Sequence, residues 1–497
     1  MFPMDITLVG TLLLLLISSI YFMYLTWNQM YRKRNLPPGP TPLPLIGNLL
    51  DIKFGEMAGS LMKLWDQYGP VYTIYLGMRP VVVICGYKAV KEVLVDLAEE
   101  FGARGRVPSI DKFTQGYGIS FSNGECWKQM RFFSFKTLKD FGLGKKTTEE
   151  KIQEEAQNLV KTIKQYNGLP TDPARLVMDA VSSVFCSIIF GNRFEFEDER
   201  FSKIFSFSEE TLSLMGTPWA QLEDTIPELM KYIPGPHKKI VDVSEELVAC
   251  IQKRVEINQA TLDPACPRDY IDCFLIKMEQ EKQNPNTEFT MRNLLITVHS
   301  LLLGATDTVG TTLRHAFLIL LTYPEVQDKL HKEIDQVIGR NRLPLLSDRS
   351  QMPYTDAVIN EVQRFVDLVP LNVTHSVTKD IQFRGYTLPK GTDVFPLLCS
   401  VHRDPSQFST PYKFNPNHFL DENGGFKKND AMMAFSAGKR RCPGEGLALI
   451  ELFLFFTIIL QNFTLTSEKK FTEDDIAAKF SGFLNHPISF QLSFIAR

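Results

Sequence analysis

Cys442 lies in a segment whose residue types and spacing suit a reactive thiol: Phe435-Ser-Ala-Gly438-Lys-Arg440-Arg-Cys442-Pro-Gly444. Cations beside a thiol and the start of a following helix both lower its pKa. The glycines allow the backbone to approach a large flat group, because they carry no Cβ atom. The alternative is a buried structural cysteine, the usual state of a free cysteine. The pattern predicts a thiolate, whose role these residues alone leave open.

A second candidate is an acid followed by a hydroxyl, Asp307-Thr308, in the middle of a long apolar segment. We predict a helix over Thr290–Tyr323, which Pro324 ends. Asp is a poor helix former, and a Thr hydroxyl that bonds back to a carbonyl tends to bend a helix. Gly304-Ala305 would leave room for a small ligand beside the bend. The alternative is a polar patch that faces a water pocket.

The spacing Phe-x-x-Gly-x-Arg-x-Cys-x-Gly resembles the haem-binding loop of the cytochrome P450 family, in which the cysteine thiolate is the axial iron ligand. The resemblance implies that haem b is the cofactor and that Cys442 is its metal ligand. It places Phe435, Gly438 and Gly444 against the haem as parts of the same loop.

The Asp307-Thr308 segment resembles the helix that covers the opposite face of the haem in this family. The resemblance implies that Thr308 hydrogen-bonds the dioxygen co-substrate and that Asp307 helps to relay protons. Two departures are visible, because Ala305 replaces the usual Gly and Val309 the common second hydroxyl. Neither departure removes the acid–alcohol pair.

Haem carries two carboxylates, which an apolar pocket must pair with hydrogen-bond donors. A lone Arg or His is usually solvated or satisfied elsewhere, but several here match family positions, among them Trp127 and Arg131 in the family's Trp-x-x-x-Arg. Thr374 stands where close relatives often have Pro. The donors that the resemblance implies are Arg104, Trp127, Arg131, His375 and Arg440.

Glu361 and Arg364 share one face of a predicted helix and can form an ion pair. On a surface such a pair would contribute almost nothing. Its place upstream of Cys442, followed by Phe414-Asn-Pro-Asn-His418-Phe, resembles the buried network that supports the haem loop in the family. His418 stands where Arg is commoner. The resemblance implies a structural role for these residues.

The resemblance also implies an apolar substrate pocket, although any one of its wall residues could equally be ordinary core. The expected lining residues are Phe113, Leu301, Leu302, Leu368, Leu371 and Phe483.

The N-terminal segment Ile6–Trp27 carries no charge and is long enough to cross a hydrocarbon core of about 30 Å. Asp5 precedes it and Arg32-Lys-Arg34 follows it, so the positive-inside rule puts the C-terminal side in the cytosol. A cleavable signal peptide is the alternative, but no basic residue precedes the apolar run. We predict a transmembrane anchor over residues 1–29 and a basic, proline-rich hinge over residues 30–48.

The rest, residues 49–497, is predicted to be one catalytic domain, mainly α with a minor β portion, the cytochrome P450 fold. We expect strands at Val71–Leu76 and Pro80–Cys85, helices between about Gly124 and Phe365, strands again from Thr374 to Cys399, and an apolar helix at Leu447–Phe463.

The composition of the chain limits the classes of macromolecule that it is expected to bind. The 54 basic and 57 acidic residues are balanced, which does not favour nucleic acid. The eight cysteines show no regular spacing, which is typical of reduced thiols. No GxGxxG segment follows a strand, so electrons must arrive from another protein. A basic surface formed by Lys128, Lys136, Lys139, Lys145, Lys146, Lys439 and Arg441 could dock it, or could simply be a solvated face.

The resemblance covers essentially the whole chain and is strongest to the vertebrate microsomal branch of the family. It implies a monooxygenase of the endoplasmic reticulum membrane that oxidises small lipophilic xenobiotics, steroids or fatty acids. Electrons would come from NADPH through NADPH–cytochrome P450 reductase, with cytochrome b5 as an occasional second donor. A peroxide isomerase that does not use dioxygen and a haem sensor without turnover are the alternatives.

Overall fold

The computed structural model describes residues 6–32, 35–53, 55–140, 146–191, 199–477 and 483–497. Asp5, Lys33, Arg34 and Lys145 lie outside these residues, as does the side chain of Lys146.

Helices dominate the described part of the chain, as expected. They are α1 (Ile6–Arg32), α2 (Met57–Tyr68), α3 (Tyr87–Lys91), α4 (Pro108–Thr114), α5 (Gly124–Asp140), α6 (Lys146–Gln165), α7 (Ala174–Ile189), α8 (Glu199–Met215), α9 (Pro218–Thr225), α10 (Pro227–Met230), α11 (Lys239–Ala260), α12 (Tyr270–Gln280), α13 (Met291–Thr322), α14 (Pro324–Val337), α15 (Pro353–Val366), α16 (Leu398–His402), α17 (Glu445–Asn462) and α18 (Glu473–Ile476). A π-helical turn, Glu92–Asp96, extends α3.

Nine short strands form the minor β portion of the described residues. They are β1 (Val71–Leu76), β2 (Arg79–Ile84), β3 (Ala103–Arg104), β4 (His375–Ser376), β5 (Ile381–Phe383), β6 (Tyr386–Leu388), β7 (Asp393–Pro396), β8 (Phe463–Thr466) and β9 (Ser493–Ala496). One five-stranded sheet has the order β1-β2-β7-β4-β3, and β5–β6 and β8–β9 form two antiparallel pairs. Only β2 and β7 run parallel in the large sheet. The expected pair of strands about Gly77 is confirmed.

The long helix α13 is the centre of the body, and its bounds confirm the prediction. Thr290 caps it by accepting a hydrogen bond from the Asn293 amide at 3.2 Å, and Pro324 begins the next helix. At about 1.5 Å per residue its 32 residues extend for about 48 Å. It packs against α7, α8, α11, α15 and α17. The middle of α13 is therefore held rigidly where the chemistry is expected.

The cysteine segment is joined directly to the other apolar core helix, α17, which begins at Glu445. α17 packs on α6, α13 and α14, and most of its side chains are buried. Of the described helices, α13 and α17 are long and apolar enough to cross a membrane, yet both lie largely inside the body. They are core helices that place Cys442 and Thr308 relative to each other.

The N-terminal helix α1 runs from Ile6 to Arg32, past the boundary expected at residue 29. Its apolar residues Leu13–Trp27 are largely exposed. The end of α1 contacts the body, since the Trp27 indole donates to the Pro42 carbonyl at 3.1 Å and packs edge-on against Tyr75. The proline-rich segment thus lies against β1 rather than away from it.

Candidate active site

The Cys442 loop is closed by a hydrogen bond from its own amide to the Phe435 carbonyl at 2.9 Å. Gly438 has a φ of 67°, and a Cβ atom there would lie 1.7 Å from the Leu94 carbonyl oxygen. This glycine therefore lets the loop pack on the Leu94 backbone, and the expectation that it also makes room for a flat ligand stays a prediction. Gly444 lies beside the sulfur, where an added Cβ would be 3.8 Å from Sγ.

The electrostatics of the thiol also differ from the expectation. Burial raises the pKa of Cys442, and the amides of Gly444 and Glu445 together with Arg131 offset this only in part. The neighbouring cations are engaged elsewhere, since Lys439 pairs with Glu99 and Arg441 with Glu445. In the protein alone the thiol is thus held protonated, and a buried cation bound to sulfur is what would compensate a thiolate.

A cavity of about 330 Å³ begins at Cys442 and reaches the middle of α13. From the cysteine segment it is lined by Phe435, Arg440, Cys442 and Gly444. Opposite them, α13 contributes Gly304, Ala305 and Thr308. The two motifs found in the sequence therefore form two walls of one chamber. An added Cβ at Gly304 would meet no atom within 4 Å, so the space that glycine leaves is real.

Thr308 lines this cavity, but its acidic neighbour does not. The Thr308 hydroxyl donates to the Gly304 carbonyl at 2.9 Å, the back-bonding expected from the sequence. Asp307 is buried on the other side of α13, where its carboxylate accepts a hydrogen bond from the Thr311 hydroxyl at 3.0 Å. Its second oxygen is 3.6 Å from Nε2 of His486, a half-exposed side chain. Asp307 therefore lies near the cavity but does not line it.

Three arginines meet at one edge of the cavity: Arg104, Arg131 and Arg440. Burial and then mutual repulsion lower the pKa of Arg440 to about 8 and that of Arg104 to about 9. Nη1 of Arg440 has no hydrogen-bond partner among the described residues. No carboxylate within the described parts of the chain forms an ion pair with any of the three. The edge therefore carries uncompensated positive charge.

Trp127 completes this edge, because the Arg440 guanidinium carbon lies 3.8 Å from the indole centroid. Arg440 also donates to the carbonyls of Gly102, at 2.8 Å, and Ser122, at 3.0 Å. Arg131 donates to the Arg441 carbonyl at 2.7 Å, which ties α5 to the cysteine loop.

His375 is not among the residues that line the cavity but lies beside Arg104, so its direct contact with a haem carboxylate stays a prediction. Its Nδ1 is 2.8 Å from the Phe101 carbonyl, and Nε2 is 2.9 Å from Nη1 of Arg104. Burial and the neighbouring Arg104 lower the pKa of His375 to about 3, so the ring is neutral. A neutral Nε2 accepts from the arginine. His375 therefore positions Arg104.

Four of the six expected pocket residues line the cavity: Phe113, Leu301, Leu368 and Phe483. Leu302 does not, because it points from α13 into the main apolar core. Leu371 does not either, because it packs against the apolar cluster beneath β1 and β2. Alternate residues of a buried helix face different neighbours, which one sequence does not resolve.

The Glu361–Arg364 pair is fully buried and satisfied. The guanidinium donates to both carboxylate oxygens at 2.7 Å, and the Asn415 amide donates to Oε1 at 2.7 Å. Nδ1 of His418 lies 3.2 Å from Oε2 of Glu361. The Thr410 amide donates to Nε2 of His418, so the ring is a neutral Nδ1–H donor. His418 therefore adds a hydrogen bond but no charge to this network.

The network reaches the cysteine loop through His402. Arg364 donates to the His402 carbonyl at 2.8 Å, and the Met433 amide donates to Nε2 of that ring at 3.2 Å. Met433 in turn accepts from the Ser436 amide at 2.8 Å, at the start of the cysteine loop. These hydrogen bonds connect the Glu361–Arg364 pair to the cysteine loop and hold the start of the loop in place.

Sequence reasoning missed polar groups that line the cavity without a hydrogen-bond partner among the described residues: His299, Gln363 and Glu451, each through one atom. Glu451 interrupts the apolar run of α17, and burial alone raises its pKa well above the usual range. The position of Glu451 within the apolar sequence of α17 was a signal that could have identified it. For His299 and Gln363 the sequence offered none.

The residues present fit the haem expected from the sequence. An uncompensated cationic edge suits two carboxylates, and an unpaired Nη1 of Arg440 offers a donor to one of them. Cys442 faces the same cavity as the only cysteine among its described lining residues. The remaining wall is mostly apolar, as a macrocycle requires.

Comparison with known proteins gives the same answer. The cytochrome P450 family profile matches residues 37–494. Cytochrome P450 2G1 of Rattus norvegicus is 50% identical over 479 residues, 96% of this chain and 97% of the relative. Cytochrome P450 2F2 of Mus musculus is 51% identical over 460 residues, 93% and 94% of the two chains. Cytochrome P450 2C16 of Oryctolagus cuniculus is 50% identical over 493 residues, 99% of each.

Proposed function

The chain belongs to the cytochrome P450 family, and on that basis we propose that Cys442 is the thiolate ligand of its haem iron. We further propose that Thr308, on the other wall of the cavity, delivers the protons that the reaction uses. The protein is a haem-thiolate monooxygenase that acts on xenobiotics, steroids or fatty acids. Its cofactor is haem b, and it uses dioxygen and electrons from NADPH delivered by a reductase. The peroxide-isomerase and sensor alternatives are not favoured.

The bound haem supplies reductive activation of dioxygen, inserting one oxygen atom into the substrate while the other leaves as water. Cys442 would hold the iron through Sγ. Arg104, Arg131, Arg440 and the Trp127 indole would hold the propionates. His375 keeps Arg104 oriented, and the Glu361–Arg364 network keeps the loop in place. The observation that carries this assignment is the single chamber with Cys442 on one wall and Thr308 on another.

Residues of α13 offer protons a path toward the cavity. The Thr308 hydroxyl lies at the cavity and can exchange its bond to the Gly304 carbonyl for one to a ligand. Asp307 is behind it, in contact with Thr311 and close to the half-exposed His486. We infer that Asp307 and His486 pass protons from solvent toward this helix and that Thr308 Oγ1 delivers them. Asp307 thus acts through other groups rather than at the substrate.

The family implies a redox partner, and we propose that NADPH–cytochrome P450 reductase docks on α5. Phe132 is 74% exposed there, and Phe135, Lys136 and Lys139 are exposed beside it. This surface is joined to the cysteine loop by the bond from Arg131 to the Arg441 carbonyl. Exposed apolar and cationic groups together suit an acidic partner protein. Lys439 and Arg441 contribute less, because both are paired with glutamates. Cytochrome b5 would compete for the same surface.

Relatives of this kind are associated with the endoplasmic reticulum membrane, and we propose that α1 is a single-pass anchor with the body in the cytosol. The exposed apolar side chains of α1 support this. Exposed apolar residues of the body also support it. They lie in the hinge, just after it, in the β1–β2 turn, and in α10 with the turn after it: Leu43, Leu45, Leu50, Met78, Leu229 and Tyr232. Removal of residues 1–29 should release the protein from microsomes under alkaline carbonate, which full-length protein should resist.

The function is tested with purified haem-loaded enzyme, the reductase, NADPH and a panel made of lauric acid, testosterone and 7-ethoxycoumarin. We expect hydroxylated or dealkylated product from at least one compound, with consumption of NADPH and dioxygen. Binding of the panel without any product would favour the sensor instead. Conversion of an organic hydroperoxide without NADPH, with no product from dioxygen, would favour the isomerase.

A further inference from the structure

We propose that His299 is a specificity-determining residue that hydrogen-bonds a hydroxyl or keto oxygen at the end of the substrate remote from the oxidised carbon. This inference rests on the proposed function and narrows its substrates to apolar scaffolds with one terminal oxygen. The residue lies on α13, lines the cavity and is 1% exposed, so it belongs to the chamber wall and not to the surface.

His299 is distinguished by a hydrogen-bonding atom that the protein leaves unused. Its Nε2 is buried and has no partner among the described residues. Buried polar atoms are almost always paired, so an unpaired one at a cavity wall points to a ligand. The other such groups at this cavity are Arg440, at the cationic edge, and Gln363 and Glu451, on the helices that flank the cysteine loop. Of these four groups, only His299 lies in the half of the cavity away from the cysteine loop, where we expect the substrate.

The state of the ring suits recognition of a neutral oxygen. Burial, reinforced by the nearby Arg292, lowers the pKa of His299 to about 3, so the imidazole is uncharged. A neutral imidazole has one N–H donor and one acceptor nitrogen. It can therefore donate to a ketone or accept from a hydroxyl, whereas an ammonium group would enter this region without a counter-charge and beside the Arg292 cation.

Among the described residues, the neighbours of His299 are an aromatic ring, apolar side chains and hydroxyls that already donate elsewhere. Phe113 packs on the ring at a centroid distance of 5.1 Å. The two nearby hydroxyls of the wall are committed to their own helices, Ser300 to the Ile296 carbonyl at 2.8 Å and Thr114 to the Ile110 carbonyl at 3.2 Å. The rest of this end is apolar, with Ile110, Leu212, Met215 and Leu301 at the wall. A single oxygen of a ligand at this end of the cavity would therefore form its hydrogen bond with His299.

The position of His299 sets which end of the substrate is oxidised. It lies nine residues before Thr308 on the same helix, which is about 13 Å along the axis and about half a turn around it, and both residues line the cavity. A ligand whose oxygen is held at His299 would present its opposite end toward Thr308 and Cys442. Rigid scaffolds of several fused rings span such a distance without folding back. We therefore expect oxidation at the end away from the ketone or hydroxyl.

The test uses androstan-3-one and its parent hydrocarbon androstane, which differ only in the ketone. Equilibrium dialysis with the haem-loaded enzyme measures both dissociation constants without reductase or NADPH. The variants are His299→Phe, which keeps the ring packed on Phe113, and His299→Gln, which restores a donor. His331→Phe is the matched control, because His331 is also buried with an unpaired Nε2 but lies on α14 outside the cavity.

We expect wild-type enzyme to bind the ketone about threefold to tenfold more tightly than the hydrocarbon, the range of one net hydrogen bond. His299→Phe should abolish this preference, His299→Gln should retain part of it, and His331→Phe should keep it fully. Equal affinities in the wild type, or an undiminished preference in His299→Phe, would overturn the inference. Product formation with reductase is scored separately, so loss of the preference leaves the monooxygenase assignment intact and loss of turnover leaves the binding result intact.

Discussion

The Arg440 guanidinium lies over the Trp127 indole, with its carbon 3.8 Å from the ring centroid. This contact joins the cysteine loop to α5 at the edge of the chamber. The contact positions a guanidinium whose pKa is lowered to about 8 by burial and by two neighbouring arginines, both of which favour the neutral form. The carboxylates of the haem would stabilise the charged form of Arg440, which explains a cation at this buried position.

Arg440→Gln should therefore weaken haem retention more than it weakens the fold. Loss of a charged hydrogen bond to a propionate, typically about 1.5–3 kcal/mol, predicts haem transfer to apomyoglobin roughly ten to a hundred times faster. Arg340→Gln, which changes an exposed arginine of a surface pair, serves as the control. Unchanged haem transfer in Arg440→Gln would remove Arg440 from the set that holds the propionates.

Thr308→Ala should separate electron use from product formation. The hydroxyl at the cavity is the group that delivers protons, and general acid–base groups typically contribute about a hundredfold or more. Since water can partly replace a hydroxyl, we expect the product formed per NADPH to fall at least about tenfold while substrate affinity is kept. Thr308→Ser should recover most of the yield. Equal yields for Thr308→Ala and wild type would show that this hydroxyl is dispensable.

Glu361→Ala should destabilise the protein strongly, because it leaves Arg364 charged and buried. Removal of one partner of a buried pair costs about 3–5 kcal/mol. His418→Phe should cost less, about 1 kcal/mol, since it removes one neutral hydrogen bond from the same carboxylate. Urea unfolding followed by circular dichroism gives both values. A larger loss for His418→Phe than for Glu361→Ala would contradict the neutral role assigned to His418.

Much of the architecture could be predicted because the relevant signals are local. The bounds of α13 follow from an apolar run between Thr290 and Pro324, and β1 and β2 from β-branched residues on either side of Gly77. Cys442 and Thr308 could be nominated as partners only through their resemblance to a family. Nothing local says that two residues so far apart in sequence share a chamber.

What could not be predicted is the direction in which individual side chains point. Asp307 and Thr308 are adjacent in sequence but lie on different sides of α13, and Leu302 faces the core while Leu301 faces the cavity. The lowered pKa expected for Cys442 is not found in the protein alone for a related reason, because burial depends on the whole fold whereas neighbouring cations are visible in sequence. The pairing of those cations with Glu99 and Glu445 was equally invisible.

Glu451 should make stability depend on pH. Burial raises the pKa of this carboxyl above its usual 4.5, so above pH 4.5 the folded state holds a proton that the unfolded state has released. Stability then falls as pH rises, by at most about 1.4 kcal/mol per pH unit. Glu451→Gln should be more stable than wild type at neutral pH and nearly equal near pH 4.5. Exposed Glu279→Gln is the control, and parallel stability profiles for Glu451→Gln and wild type would contradict a buried neutral acid.

Ligation of the haem iron by the Cys442 sulfur can be read directly from the carbon monoxide spectrum of the reduced enzyme. The wild type should show the red-shifted Soret band of thiolate ligation. Cys442→Ser, if it retains haem, should lose that band, whereas Cys399→Ser, a buried cysteine outside the cavity, should keep it. A folded wild-type enzyme with an unshifted Soret band, or a Cys442→Ser variant that keeps the shifted band, would contradict the account.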